Sequence, residues 1–221
     1  MKPKLIIFGN SAFAEMVAHY FEEQGDRFVV AFTAHEKFIT QAQLGSRRLL
    51  PFESIVEAFA PSEHDMFVAL EHGRQNVARG EVAAEASAMG YRLASFVSPY
   101  ARVSSQARLG DHCLVLENAV IQHGVVMGEN NFISANCFFG QSCQVGANNY
   151  FGSGFFGDRY VKVGSHSVFD SQVRIGESVS VHDWAHIQAF ETIRQTVPLP
   201  TIIHPVLRTP GHVVDRRQAT F

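Results

Sequence analysis

Three polar side chains that could do chemistry together follow one another at intervals of 18 residues: His123, Gln141 and Arg159. An imidazole takes up a proton near neutral pH, and an amide orients a nucleophile or donates to an oxyanion. A guanidinium suits a phosphate or a carboxylate. The three side chains meet only if the fold stacks residues 18 apart on one another.

A six-residue repeat in the second half of the chain supplies that stacking. From Val97 to Ile187 the sequence divides into hexads without insertion, and fifteen of the sixteen first positions are apolar. This pattern predicts a left-handed parallel β-helix over residues 97–190. Three hexads make one triangular coil, so residues 18 apart lie about 4.8 Å from each other on successive coils. His123, Gln141 and Arg159 therefore form a column on one corner.

The cysteines of ISANCFFGQSCQVG, residues 133–146, suggest at first a thiol pair for metal or redox chemistry. Cys113, Cys137 and Cys143 make an odd count without a CxxC motif, which gives neither a disulfide framework nor a zinc site. All three fall in the fifth position of a hexad, which small residues commonly occupy. We interpret them as buried fillers of the β-helix.

Short apolar runs alternate with helical patterns in the first half of the chain. LIIF, RFVVAFTA, DMFVAL and YRLASFVS predict buried strands, while NSAFAEMVAHYFEEQG and RQNVARGEVAAEASAMG predict helices. The alternation predicts a Rossmann-like α/β domain with a parallel sheet over residues 1–96. Residues 191–221 leave the hexad pattern, and their prolines predict an extended tail.

The turn GNSAFAE after the first strand lies where such domains bind phosphates against a helix N-terminus. Gly9 is present, but Ser11 and Ala14 replace the later glycines of a dinucleotide fingerprint, and Thr33 stands near the end of the second strand in place of an acidic residue. NAD chemistry is therefore not expected. Binding of a nucleotide or nucleotide sugar and a plain structural turn both remain open.

Composition argues against several classes of partner. The formal net charge of −3 and the absence of a Lys/Arg run disfavour nucleic acid, and no apolar run approaches the ~18 residues of a membrane span. The start MKPKLIIFGNSAFAE has no cleavage site of a signal peptide, and the cysteine usage fits a reducing compartment. We expect a cytoplasmic protein.

Together, KLIIFGNSAFAEMV, FVSPYARVSSQARLGDHCLVL and the unbroken hexads resemble the sugar O-/N-acyltransferases of the sialic acid O-acetyltransferase and UDP-4-amino-sugar N-acetyltransferase type. The resemblance covers nearly the whole chain. It implies acetyl-CoA or another acyl-CoA as donor, bound between subunits of a homotrimer. It implies a nucleotide-linked amino sugar as acceptor, resting on the first domain, in the biosynthesis of surface polysaccharide. No metal is implied.

The resemblance also implies site residues. The acceptor would contact the turn residues Gly9, Asn10, Ser11 and Phe13, together with Thr33, and Arg159 would hold a phosphate or carboxylate. The acyl donor would contact Ser142, Tyr150 and Gly152. The family pattern I-N-T-x-x-x-x-E-H-D-C-x-I-G aligns on residues 133–146, so its catalytic histidine falls on Gln141 and its following Asp on Ser142. A second family histidine falls on Tyr150, and the family's G-x-P-A has only Thr209-Pro210-Gly211 as a counterpart in the tail.

Gln141 changes the expected chemistry. An amide takes no proton at neutral pH, so a hydroxyl acceptor would react slowly, whereas a neutral amine attacks first and loses its proton later. This favours N-acylation, with His123 as the base and Gln141 orienting the nucleophile. His123 as a solvated corner residue, and a divergent member of the fold that binds without acetylating or uses another acyl donor, are the alternatives.

The remaining histidines give weaker evidence for a functional site. His182, Asp183 and His186 flank the only tryptophan in VHDWAHIQAF, where they form either a site or the terminating coil and a trimer contact. A metal-dependent hydratase on the same β-helix needs three converging histidines, and His112, His123 and His166 are too widely spread for that.

Overall fold

The first domain is an α/β layer structure. The computed structural model describes residues 2–198 and 200–203. The strands of this domain are β1 Lys4–Phe8, β2 Phe28–Ala34, β3 Gln43–Leu44, β4 Arg47–Pro51, β5 His64–Val68 and β6 Arg92–Leu93, and its helices are α1 Ala12–Glu23, α2 Ile55–Ala58 and α3 Val77–Ala88. Short 3₁₀ segments span Glu36–Phe38, Phe52–Ser54 and Gly73–Asn76. Within the described residues, no helix has the length and apolar character needed to cross a membrane.

Strands β4, β2, β1, β5 and β6 lie in that order and run parallel, as in doubly wound sheets. Side chains alternate across β1: Leu5 and Ile7 pack in the core that contains α1, while Ile6 and Phe8 pack in the core that contains α3. A sheet buried on both faces explains the continuous apolar run of β1. The predicted Rossmann-like domain is confirmed.

One edge of the sheet differs from the sequence prediction. Strand β3 pairs antiparallel with β4, so the sheet is mixed. The edge strand β3 has only two residues, QL, which is too short to show an alternation of apolar and polar side chains. The sequence pattern therefore gave no signal for it.

The second domain is the predicted left-handed parallel β-helix. Its strands are β7 Phe96–Val97, β8 Arg102–Val103, β9 Arg108–Leu109, β10 Leu114–Val115, β11 Val120–Ile121, β12 Val126–Met127, β13 Phe132–Ile133, β14 Phe138–Phe139, β15 Gln144–Val145, β16 Tyr150–Phe151, β17 Phe156–Gly157, β18 Lys162–Val163, β19 Val168–Phe169, β20 Arg174–Ile175, β21 Ser180–Val181, β22 His186–Ile187, β23 Thr192–Ile193 and β24 Ile202–Ile203. Every third strand pairs in parallel, which makes three flat faces. Face 1 runs from β7 to β24, face 2 from β8 to β23, and face 3 from β9 to β21.

Aromatic rings fill the axis of the β-helix. Phe151 and Phe169, 18 residues apart, stack with centroids 5.0 Å apart, and Phe155 packs edge-on against both. Gly157 is the one first position without an apolar side chain, and a Cβ there would lie 3.3 Å from the Phe155 ring. The large Phe155 side chain thus takes the space that Gly157 leaves.

Phenylalanines that point away from the axis of the β-helix have two different environments. Phe132 on face 1 is buried by the first domain, where its ring stacks on Phe67, so it does not face a neighbouring subunit. Phe138 and Phe156 on face 2 stack on each other at 4.8 Å and stay half-exposed. Face 1 is therefore an interface between domains, while face 2 presents an aromatic pair outward.

The β-helix extends beyond residue 190, where the sequence pattern placed its end. Ile193 continues the hexad register on face 2. Val197 then bridges to Val181, and Ile203 pairs with Ile187, at separations of 16 instead of 18 residues. Two residues are missing from the period, which is why the hexad pattern stops in the sequence while the pairing goes on. The expected tail motif at 209–211 lies outside the described residues.

Candidate active site

The predicted corner column forms between faces 2 and 3. The Ser142 N–H donates to the carbonyl of His123 at 3.0 Å, and the Tyr160 N–H donates to the carbonyl of Gln141 at 3.0 Å. These bonds stack His123, Gln141 and the segment containing Arg159 on successive coils. All three side chains are exposed at this corner.

The side chains of the column differ in how firmly they are held. Arg159 donates to the Glu177 carboxylate at 2.8 Å, and this hydrogen bond raises the pKa of the guanidinium. At Gln141 it is the backbone N–H, not the side chain, that donates to the side-chain oxygen of Gln122 at 3.1 Å. Among the described residues, the His123 ring has no hydrogen-bond partner. An anion at Arg159 must share the guanidinium with Glu177.

The cysteines beside Gln141 belong to the core. Cys137 and Cys143 are 1% and 0% exposed, and their thiols donate to the carbonyls of Gly152 at 3.3 Å and Asp158 at 3.0 Å. Burial raises the pKa of Cys137 to about 12 and that of Cys143 to about 11. Because the thiolate is the form that binds metals and attacks electrophiles, these thiols are inert fillers, as predicted.

The turn between β1 and α1 is built around Gly9. Its φ is +145°, its N–H donates to the carbonyl of Thr33 at 2.8 Å, and a Cβ would lie 2.8 Å from the carbonyl oxygen of Ala69. Only glycine fits this close approach. Asn10 donates from its side-chain amide to the carbonyl of Phe38 at 2.9 Å, which ties the turn to the segment after β2.

The other predicted acceptor-binding residues divide between surface and interior. Ser11 is exposed and precedes the first helical residue of α1, while Phe13 packs against Phe132 with ring centroids 6.1 Å apart. Thr33 is fully buried, and its hydroxyl donates to the carbonyl of Leu50 at 2.8 Å. Its side chain therefore holds β2 to β4, and only its backbone approaches the turn.

The predicted acyl-donor residues lie on two separate parts of the β-helix. Tyr150 is on face 1, with its ring 4.5 Å from His72 and its hydroxyl 3.5 Å from Ser134 Oγ, and Gly152 follows on the same side. Ser142 lies at the corner between faces 2 and 3. Within a single chain, Tyr150 lies close to the first domain but far from Gln141 and Ser142.

One polar pair on the same side of the β-helix as Tyr150 was not predicted from the sequence. His186 Nε2 lies 3.3 and 3.4 Å from the two carboxylate oxygens of Asp170. Burial lowers the pKa of His72, whose ring contacts that of Tyr150 in a tilted arrangement. The 18-residue register contained the signal, because Asp170 stands 18 residues after Gly152 and His186 stands 36 after Tyr150.

The residues near His186 in the segment VHDWAHIQAF do not form a site with it. Asp183 accepts from the Ser165 N–H at 2.7 Å, and Trp184 stacks on His166 with ring centroids 4.3 Å apart. These residues lie at the corner between faces 3 and 1, whereas His186 is on face 1. The described residues contain no group of three or more His, Cys, Asp or Glu that could hold a metal ion.

A buried polar seam fixes the first domain to the β-helix. Arg79 of α3 is fully buried and donates from Nε to Asn130 Oδ1 at 2.9 Å and from Nη2 to the carbonyls of Asn130 and Asn149 at 3.1 and 3.0 Å. His112 Nε2 accepts the Val68 N–H at 2.9 Å, so its Nδ1 carries the proton and donates to Asn130 Oδ1 at 2.7 Å. The seam sets the distance between the edge of the sheet and face 1.

Comparison with known proteins agrees with this architecture. The family model described as bacterial transferase hexapeptide (six repeats) matches residues 106–141. The acetyltransferase domain of PglB from Neisseria gonorrhoeae FA1090, solved with acetyl coenzyme A, is 19% identical with a TM-score of 0.81, over 91% of this chain and 96% of that chain. PerB from Caulobacter crescentus, solved with CoA and GDP-perosamine, is 20% identical with a TM-score of 0.80, over 91% and 94%. A mutant of the GDP-perosamine N-acetyl transferase from the same organism, with the same ligands, is 20% identical with a TM-score of 0.81, over 94% and 96%.

No curated protein sequence matches the chain. The structural likeness extends over both domains and confirms the fold class, and the repeat match confirms the hexapeptide repeats that the sequence pattern indicated. At this level of identity the likeness establishes the fold; the reaction has to be argued from the site.

Proposed function

We propose that the protein transfers an acetyl or other acyl group from an acyl-CoA to the amine of a nucleotide-linked amino sugar, in the cytoplasmic assembly of surface polysaccharide. One observation carries the proposal: the whole two-domain arrangement is shared with acetyltransferases solved with acetyl-CoA, or with CoA and GDP-perosamine. Both the domain that would hold a nucleotide and the β-helix that would hold the thioester are present.

The acceptor nucleotide would rest on the turn Gly9–Phe13 at the start of α1, where free helix N–H groups suit a phosphate. The edge of the sheet that carries this turn also carries the segment leading to His72, because the Ala69 N–H donates to the carbonyl of Phe8 at 2.7 Å. The amine of the sugar would then lie near face 1, beside Tyr150.

The two halves of the site belong to different sides of one chain, which supports a homotrimer with sites between subunits. Tyr150 faces the first domain, while Gln141 and Ser142 are at the far corner. A neighbouring β-helix that presents its corner to face 1 would bring them together. The exposed stack of Phe138 and Phe156 supplies an apolar surface for such a contact.

At the corner, Arg159 would bind a phosphate of the acyl donor or acceptor, Gln141 would orient the amine or donate to the oxyanion, and His123 would exchange a proton. We expect Gln141→Ala and His123→Gln each to lower kcat at least tenfold, since single oxyanion donors and acid–base groups commonly contribute more than that. The measurement is release of CoA from acetyl-CoA with GDP- or UDP-linked amino sugars as acceptors.

Gln106→Ala is the matched control, because Gln106 is an exposed glutamine at the same corner, earlier along the β-helix. Its kcat should equal that of the unchanged protein. Full activity in both Gln141→Ala and His123→Gln would remove the corner from the active site.

The second candidate function is a non-acetylating member of the fold, either a binding protein or an enzyme with a different acyl donor. It rests on Gln141 in the place of the family's catalytic histidine. Thermal shifts with acetyl-CoA, longer acyl-CoAs and nucleotide sugars separate the two. A response to nucleotide sugars without any response to thioesters favours the binding protein.

A further inference from the structure

A group of polar residues lies at the corner between faces 1 and 2. Ser134, Gly152 and Asp170 follow one another at 18-residue intervals on successive coils, as the pairing of β13, β16 and β19 requires. Gly152 is buried, and a Cβ there would lie 2.7 Å from the backbone of Asp170, so the coils approach closely and no side chain stands between Ser134 and Asp170. Tyr150 and His186 lie on face 1, beside this corner. We call these five residues the Gly152 corner.

The Gly152 corner contains an imidazole that is oriented by a carboxylate. His186 Nε2 faces both oxygens of Asp170 at 3.3 and 3.4 Å, so this nitrogen carries the proton and Nδ1 keeps a free lone pair. The side chains of His186 and Asp170 are 23% and 32% exposed, which leaves them within reach of a bound molecule. A base held by a third group is the arrangement that proton-transfer catalysis uses.

The Gly152 corner also adjoins the first domain. The Tyr150 and His72 rings are in contact, tilted, with centroids 4.5 Å apart, and the Tyr150 hydroxyl lies 3.5 Å from Ser134 Oγ. Within the described residues, His72 Nδ1 is buried without a hydrogen-bond partner, so it has capacity to bond a molecule bound beside Tyr150. His72 follows Ala69 at the sheet edge that carries the Gly9 turn.

We propose that His186, oriented by Asp170, takes the proton from the amine of the amino sugar; this rests on the acyl transfer proposed above. The amine nitrogen attacks the thioester carbonyl carbon, a C–N bond forms, and the carbonyl π electrons move to oxygen. The ammonium proton passes to Nδ1 of His186. The carbonyl then re-forms as the C–S bond breaks, the electron pair leaves with sulfur, and the proton held by His186 passes to that sulfur, so CoA departs as the thiol and His186 becomes neutral again.

His186 fits this role better than His123 because of where each lies. His186 shares its face with Tyr150 and with the contact to the first domain, so one chain brings it to the acceptor side of the site. His123 is at the opposite corner, and no described residue hydrogen-bonds to its ring. The structure thus supplies an oriented base where the amine would be.

The test compares kcat and the KM for acetyl-CoA in the unchanged protein, His186→Gln, Asp170→Asn and His123→Gln. We expect His186→Gln to lower kcat at least a hundredfold with little change in KM for acetyl-CoA. Asp170→Asn should lower kcat less, again with little change in KM, because the imidazole stays in place and loses only its orienting carboxylate. His123→Gln leaves the oriented base in place and should therefore lower kcat less than His186→Gln. Asp170 and His72 are the charged and titratable neighbours that the structure gives His186.

His19→Gln is the matched control, since His19 also pairs with a carboxylate, Glu23 at 3.1 Å, but on the exposed surface of α1. Its activity should be unchanged. If His186→Gln retains kcat while the unchanged protein is active, the inference is overturned and the proposed function stands. If the unchanged protein transfers no acyl group, the proposed function fails and this inference fails with it.

Discussion

Arg79→Ala is expected to lower the free energy of unfolding by about 3 kcal/mol, measured by urea or guanidinium denaturation at neutral pH. Arg79 is 0% exposed, and its guanidinium lies 3.9 Å from the Phe132 ring centroid. Truncation removes this packing and leaves the Asn130 backbone carbonyl without the Nη2 donor that it has at 3.1 Å. Burial lowers the pKa of Arg79 to about 9, so the side chain remains cationic at neutral pH.

Two further variants separate the loss of buried packing from the loss of the charge and test whether any nearby arginine has the same effect. Arg74→Ala removes an exposed arginine of the neighbouring segment, whose one ion pair within the described residues is to Glu81 at 4.0 Å; it should change stability by less than about 0.5 kcal/mol. Arg79→Met keeps most of the volume and deletes the charge, so it should be less harmful than Arg79→Ala. A loss below about 1 kcal/mol in Arg79→Ala would contradict the seam as the main attachment between the domains.

Acid is expected to destabilise the protein through His112, by about 2 kcal/mol between pH 7 and pH 5. His112 is buried as the neutral imidazole, and desolvation together with the charge of Arg79 lowers its pKa to about 3. In the unfolded chain the pKa returns to about 6.5. Between these two pKa values His112 is protonated in the unfolded state and neutral in the folded state. The free energy of unfolding therefore falls as the pH drops from about 6.5 toward 3.

The measurement is the free energy of unfolding as a function of pH. His112→Gln should be less stable at pH 7 but should lose about 2 kcal/mol less than the unchanged protein on going to pH 5. His19→Gln, at an exposed site, should keep the full acid dependence. An acid dependence that is the same in His112→Gln and the unchanged protein would show that His112 is not the group responsible.

The β-helix was predictable almost strand by strand, because its register is local and repeated. Each first-position residue from Val97 to Ile187 is the second residue of a strand. The boundary near residue 190 was predicted too early, since a shortened period hides the pairing of Ile203 with Ile187. The antiparallel β3–β4 pair was missed because short edge strands carry little pattern.

The candidate site was only partly predictable. Stacking of His123, Gln141 and Arg159 follows from the 18-residue register, and the structure contains it. The pairing of His186 with Asp170 depends on two side-chain rotamers on different coils, and the contact of His72 with Tyr150 depends on how the two domains dock. Sequence periodicity places Tyr150, Asp170 and His186 on neighbouring coils of one side of the β-helix, but it fixes neither their rotamers nor the docking of the domains.

The measurement that tests the central claim most directly is acyl transfer by the purified chain. Acetyl-CoA would be incubated with GDP-perosamine or a UDP-linked 4-amino sugar, and both free CoA and the mass of the sugar nucleotide would be followed. We predict one CoA released for each acetyl group gained at the amine, and loss of that turnover in His186→Gln. No release of CoA and no acylated sugar, with acetyl-CoA or longer acyl-CoAs and with either class of acceptor, would contradict the account.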